Sequence, residues 1–82
     1  MPKVSLTDRE KEWAIKGSRF VKAELKRAGI GYKELADRLN AHGLQETEDS
    51  ITGKLARGTF SVTFFFACLA VLGLEGVSLA DL

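Results

Sequence analysis

The segment from Val62 to Leu72 contains no charged residue on any face of the helix that its composition favours. A helix that is apolar all the way round must be covered on all sides. This segment therefore has to lie at the centre of a helical domain or meet a partner chain. A domain close to this chain's 82 residues hides only about 60% of its unfolded surface, so a partner would add stability.

Three consecutive phenylalanines, Phe64, Phe65 and Phe66, lie inside this apolar segment. Successive residues of an α-helix point about 100° apart, so the three rings cannot all enter one core. We expect at least one ring to meet a second copy of the chain, and all three are candidate interface residues. The alternative is that the first helix and the C-terminal segment sandwich the apolar helix and hide all three rings.

Caps and glycines divide the chain into helices. Thr7 and Glu10 have the spacing of a capping box, and Gly29 is placed to stop the first helix in the left-handed conformation. The sequence predicts one compact all-α domain over residues 1–82, with four helices and a short fifth that forms a closing helical turn after Ser78. The predicted segments are an N-terminal helix at about 8–28, a two-helix region at about 32–58 and the apolar helix at about 62–72.

The later helices carry their own start signals. Thr47 can cap the third helix, with acidic residues next to it that suit the helix dipole. Ser61 can cap the apolar helix, with Phe60 packing on Phe65 as a hydrophobic staple. The sequence shows no strand pattern, internal repeat or linker.

Basic residues concentrate in one part of a chain whose net charge is only +1. Between Lys16 and Arg38 there are seven basic residues and three acidic ones. On the first helix the basic residues fall on one side, and the predicted inward side is apolar. The outer side is either a phosphate-facing strip or a solvated face. The basic residues are Lys16, Arg19, Lys22, Lys26 and Arg27, and the predicted inward ones are Trp13, Phe20, Val21, Leu25 and Ala28.

Catalytic and metal-binding patterns do not emerge from this sequence. Cys68 is the only cysteine and His42 the only histidine, too few for a structural zinc site or for a nucleophile with its base and orienting acid. We predict a protein that is not an enzyme and that uses no metal, cofactor or small-molecule substrate.

The longest uncharged run, 59–74, is shorter than the ~20 residues of a membrane span. Without a signal peptide, and with Cys68 expected to be a buried thiol, we predict a cytoplasmic protein and no membrane partner.

The segment from Tyr32 to Leu39, followed by Ile51 to Gly58 and the apolar helix, resembles helices 2 to 4 of the phage-repressor-like (lambda-repressor-like, XRE-type) helix-turn-helix family. In that family an alanine like Ala36 lets the two motif helices approach closely, and an Arg-Gly pair like Arg57-Gly58 ends the recognition region. The resemblance implies a compact helix-turn-helix arrangement over about 32–58.

The whole chain is also similar to a family of short bacterial proteins known only as a domain of unknown function. That similarity is carried by Phe20 to Arg27 in the first helix and by Lys54 to Ser61 after the third. It brings no established activity.

Two features depart from the repressor pattern. Additional residues after Leu39 lengthen the connection between the motif helices, so base-contacting roles do not transfer position by position. Glu46, Glu48 and Asp49 cluster at the start of the third helix, where carboxylates repel phosphates.

The function predicted from these observations is sequence-specific DNA binding by a homodimeric transcription regulator. The predicted readers are the outward positions of the third helix, Ser50, Thr52, Gly53 and Lys54, and the predicted phosphate anchors are Lys33, Arg38 and Arg57. Gly53 would allow a close approach, either of DNA or of another helix. The alternative function is a protein-interaction or assembly module that oligomerises through residues 62–72 and binds no DNA.

Overall fold

Four α-helices and a short 3-10 helix make up the computed structural model, which describes residues 8–82 apart from the side chain of Asp81. The α-helices are α1 (Asp8–Ala28), α2 (Tyr32–Ala41), α3 (Glu48–Arg57) and α4 (Val62–Val71), and the 3-10 helix is Leu79–Asp81. No strand occurs within residues 8–82. The prediction of a compact all-helical chain is confirmed. The capping box predicted at Thr7 involves a residue outside this described range.

Side-chain caps and left-handed glycines set the helix ends. Thr47 Oγ1 accepts a hydrogen bond from the Ser50 amide at 3.0 Å, and Ser50 Oγ accepts one from the Thr47 amide at 2.9 Å. Ser61 Oγ accepts from the Phe64 amide at 3.0 Å. Each cap satisfies an amide that has no partner within its own helix. Gly29 ends α1 at a φ of +72°, the left-handed conformation predicted for it.

All four helices contribute to one apolar core. α2 packs against both α3 and α4, and α1 packs against α3. The Phe20 ring of α1 also lies 6.3 Å from the Phe65 ring of α4. The fully buried side chains are Val21, Leu35, Leu39, Ile51, Leu55, Phe64 and Cys68. A single core of this kind fixes how α1 and α3 lie side by side.

A hydroxyl joins α1 to the end of α3. The buried Ser18 donates a hydrogen bond to the carbonyl oxygen of Leu55. Carbonyls in the last turn of a helix have no partner within that helix, so Ser18 supplies one from the neighbouring helix. The contact holds the C-terminal end of α3 against the middle of α1.

The predicted inward face of α1 is correct only in its central part. Phe20, Val21 and Leu25 are buried, but Trp13 is 55% exposed and Ala28 is also exposed. The reason for Ala28 is length: α1 has 21 residues and runs for about 31 Å, whereas α3 has 10 residues and runs for about 15 Å, so the C-terminal end of α1 projects beyond α3. Trp13 instead lines an open pocket beside the turn between α3 and α4.

Candidate nucleic-acid interface

A cleft of about 310 Å³ opens between the middle of α1 and the C-terminal end of α3. Three of its lining residues are cations: Arg19 and Lys22 from α1, and Arg57 from α3. None of the nine lining residues is acidic. We call this site the α1–α3 cleft. Its composition suits an anionic group such as a phosphate.

The three cations reach the cleft because of their positions on two packed helices. Arg19 and Lys22 are three residues apart on α1 and both are exposed, next to the buried Ser18 and Val21. Arg57 is the last residue of α3. Within the described chain no carboxylate forms an ion pair with any of the three. Their charges are therefore available to a ligand.

Arg57 lies back over Gly53. The Nη1 atom of Arg57 is 3.1 Å from the place where a Cβ on Gly53 would stand. The close neighbour of Gly53 is therefore a side chain of its own helix, and not the second helix that was one of the two expectations for this position. Because Gly53 has no side chain, the Arg57 guanidinium can lie against α3 beside the cleft.

The other two predicted anchors do not line this cleft. Arg38 Nη2 is 2.7 Å from Glu34 Oε2, and Arg38 Nη1 donates to the Val71 carbonyl at 3.2 Å. Lys33 Nζ is 3.7 Å from Asp37 Oδ2. The structure therefore groups Arg57 with Arg19 and Lys22, and it gives Lys33 and Arg38 carboxylates of their own.

The connection between α2 and α3 contains a buried carboxylate. Only 5% of the Glu46 side chain is exposed. Its carboxylate accepts hydrogen bonds from Lys54 Nζ and, at 2.6 Å, from Ser50 Oγ. Asn40 holds the Glu46 backbone, because Oδ1 accepts from the Glu46 amide at 2.7 Å and Nδ2 donates to its carbonyl at 3.0 Å. The longer connection is thus a fixed turn.

This network corrects the predicted orientation of two candidate readers. Ser50 and Lys54 do not point outward, because both side chains turn toward Glu46. The Lys54 ammonium also lies 4.9 Å from the centre of the Phe64 ring. Glu46 is likewise no exposed carboxylate at the start of α3. A buried carboxylate needs a cation and hydrogen-bond donors, and α3 supplies both.

The residues on the exposed face of α3 differ from those predicted to point outward. Glu48, Asp49, Thr52 and Ala56 are exposed, and Arg57 extends this face at its end. The Thr52 hydroxyl donates to the Glu48 carbonyl at 2.9 Å and keeps its oxygen as an acceptor. Among the predicted readers, Thr52 is the one whose side chain is presented on this face.

The three phenylalanines have three different surroundings. Phe64 is fully buried and its ring lies 5.2 Å from Phe60. Phe65 is half-buried, and its ring stacks 6.2 Å from Phe60, the staple predicted from the sequence. Phe66 is 63% exposed. The expectation that the rings cannot all enter one core is confirmed, and the alternative that all three are hidden is wrong. Phe64 belongs to the core, so Phe66 is the ring that a partner can reach.

Cys68 is a buried thiol of α4. Burial raises the pKa of this thiol to about 12, the nearby negative charge of Glu46 adds to the increase, and Lys54 opposes it. A thiol with this pKa stays protonated at neutral pH and is a poor nucleophile.

The described residues contain no group of three or more His, Cys, Asp or Glu side chains that could hold a metal ion. No single helix among them is long and apolar enough to cross a membrane. α3 and α4 taken together reach that length and composition, but the chain bends by 116° between them.

The described residues thus define a compact all-helical domain with a cationic cleft between its first and third helices. The chain belongs to the family described as a domain of unknown function (DUF6471), whose model matches residues 13–77. The matched range includes every residue that lines the α1–α3 cleft. No curated protein and no solved structure shows significant similarity to the chain.

Proposed function

We propose that this domain is a sequence-specific DNA-binding protein that acts as a homodimeric transcription regulator. In this proposal the α1–α3 cleft holds the phosphate backbone and the exposed face of α3 lies next to the bases. The observation that supports it most is the convergence of Arg19, Lys22 and Arg57 on a cleft without a carboxylate. Cations free of acidic partners can displace the counterions condensed on DNA, which supplies most of the non-specific affinity.

The relation between α2 and α3 gives secondary support. The two helices pack against each other, and the small Ala36 of α2 is buried. These features agree with a helix-turn-helix arrangement, which we include in the proposal. Thr52 would present its methyl group to the major groove, where such groups contact the methyl of thymine.

Neutralising single cations of the cleft tests the proposal. We expect Arg19→Gln, Lys22→Gln and Arg57→Gln each to weaken DNA binding uniformly across sequences and to reduce the slope of log K against log salt by about 1. The measurement is a salt titration of binding to labelled duplex DNA. A thermal melt of each variant checks that the fold is intact.

Lys11→Gln is the matched control for these variants. Lys11 is an exposed lysine of α1 that does not line the cleft, so its removal changes the net charge equally. We expect its salt slope to equal that of the unchanged protein. If Lys11→Gln lowers the slope as much as the cleft variants do, or if only Lys33→Gln and Arg38→Gln lower it, the cleft does not hold the backbone.

The exposed part of α4 supports a second candidate function, assembly without DNA. Val62 and Phe66 are 65% and 63% exposed and lie four residues apart, so they share one face of α4. Exposed apolar patches mark association sites. Both proposals expect a dimer through this face, and they differ in whether DNA is bound.

Phe66→Asp is expected to dissociate the dimer. Burial of one phenylalanine contributes about 1.5–3 kcal/mol, so its loss raises the dissociation constant at least about tenfold. The measurement is mass in solution over a range of protein concentrations. Leu79→Asp is the control, because Leu79 is 74% exposed and lies outside α4. A protein that is monomeric before any substitution, or a dimer that both substitutions break equally, would exclude this interface.

A further inference from the structure

The exposed face of α3 has opposite charges at its two ends. Glu48 and Asp49 occupy its first turn and are both exposed, whereas Arg57 occupies its last position. The remaining cation of α3, Lys54, is paired with the buried Glu46. The N-terminal end of the exposed face is therefore negative, and the C-terminal end is positive.

The dipole of α3 repels an anion at the C-terminal end of the helix less than the dipole of an isolated helix would. A helix C-terminus carries partial negative charge on unpaired carbonyls, which repel phosphate. Here the Leu55 carbonyl accepts from the Ser18 hydroxyl, and the Lys54 carbonyl accepts from the Gly58 amide at 2.9 Å. At the N-terminal end of α3, the Thr47 hydroxyl oxygen already accepts a hydrogen bond from the Ser50 amide. An anion therefore has fewer free amides to bind at the N-terminus of α3.

A stripe along α1 continues the cationic end. Arg19, Lys22 and Lys26 follow one another at spacings of three and four residues and are exposed. Like Arg19 and Lys22, Lys26 forms no ion pair within residues 8–82. From Arg19 to Lys26 the stripe extends for about 10 Å along the helix.

We infer that duplex DNA lies across the C-terminal half of α3 and the middle of α1, with one backbone phosphate in the α1–α3 cleft, and not at the N-terminal end of α3. This inference rests on the proposed function and specifies the orientation of its ligand. The same geometry places Ala56, a small exposed residue of the cleft, directly beside the backbone. Glu48 and Asp49 then lie at the far end of α3, where their repulsion of phosphates is weakest.

A DNA-cleaving iron chelate attached to single cysteines tests this orientation. The variants are Ala56→Cys in the cleft and Asp49→Cys in the first turn of α3, both at exposed positions. The buried Cys68 thiol, with its pKa raised to about 12, does not compete for the label at neutral pH. The probe is an end-labelled random-sequence duplex at low salt. Retention of this duplex by the unlabelled protein is measured first.

The outcomes separate the orientation from the proposed function. We expect cleavage from position 56 to exceed cleavage from position 49 severalfold. Loss of binding on labelling position 56 but not position 49 supports the same placement. Cleavage that is equal or stronger from position 49 overturns the orientation and leaves DNA binding standing. If the unlabelled protein retains no DNA, both the proposed function and the orientation are overturned.

Discussion

Gly58→Ala is expected to lower the free energy of unfolding by about 3 kcal/mol, for two separate reasons. Gly58 has a φ of +72°, and a residue with a side chain loses about 1–2 kcal/mol in this left-handed conformation. A Cβ at this position would also lie 2.7 Å from the carbonyl oxygen of Ala14 and 3.0 Å from its carbonyl carbon. Because those atoms are backbone, α1 and α3 must separate, which costs about 1–3 kcal/mol more.

Gly29→Ala is the matched control for this prediction. Gly29 also has a φ of +72°, but a Cβ there would have no heavy atom within 4 Å. We expect a loss of about 1 kcal/mol, the conformational part alone. Urea unfolding followed by circular dichroism measures both variants. Equal losses at the two glycines would show that α1 does not lie against the end of α3.

Lys54→Met is expected to lower the free energy of unfolding by about 3 kcal/mol. The substitution leaves the Glu46 carboxylate, only 5% exposed, without its cation. The Glu46 carboxylate keeps a hydrogen bond from Ser50, but a single hydroxyl does not compensate a buried charge. The contact between the ammonium and the Phe64 ring is lost as well.

A double substitution separates loss of the ion pair from loss of packing. We expect Glu46→Gln combined with Lys54→Met to be more stable than Lys54→Met alone, because an amide carries no charge to bury. Lys33→Met is the control: its ion pair with Asp37 is exposed, so its stability should change by no more than about 0.5 kcal/mol. Urea unfolding at neutral pH measures all of these variants. A Lys54→Met protein as stable as Lys33→Met would mean that Glu46 is not buried with Lys54.

The helix ends and most of the core were predictable from the sequence because they depend on local chemistry. Gly29 stops a helix through its own conformation, and Thr47 and Ser61 cap helices through amides three residues away. The exposure of one phenylalanine among Phe64 to Phe66 followed from helical geometry alone. These predictions needed no knowledge of how the helices pack.

The pairing of Glu46 with Lys54 was not predictable in the same way. The two residues are eight positions apart, with Glu46 before the start of α3 and Lys54 within it, a spacing longer than the three- and four-residue contacts within a helix. Their meeting depends on the longer α2–α3 connection, which folds the carboxylate inward. For that reason the prediction that Lys54 and Ser50 point outward was wrong.

The sequence contains a local signal, not used in the prediction, that separates the cations with an acidic partner from those without one. Lys33 has Asp37 four residues after it, and Arg38 has Glu34 four residues before it, so both could pair within α2. Arg19, Lys22 and Arg57 have no acidic residue three or four positions away. This difference identifies the cations left available for a ligand. Their convergence in one cleft depended on how α1 packs against α3.

Selection from a pool of random duplex DNA at two salt concentrations, with the mass of the protein recorded in the same buffer, tests the central claim most directly. We predict that a dimer enriches a symmetric site and that its binding weakens steeply as salt rises, because backbone contacts release counterions. A protein that retains no duplex DNA even at the lower salt concentration would contradict the claim, and a dimer with that behaviour would favour assembly through Phe66.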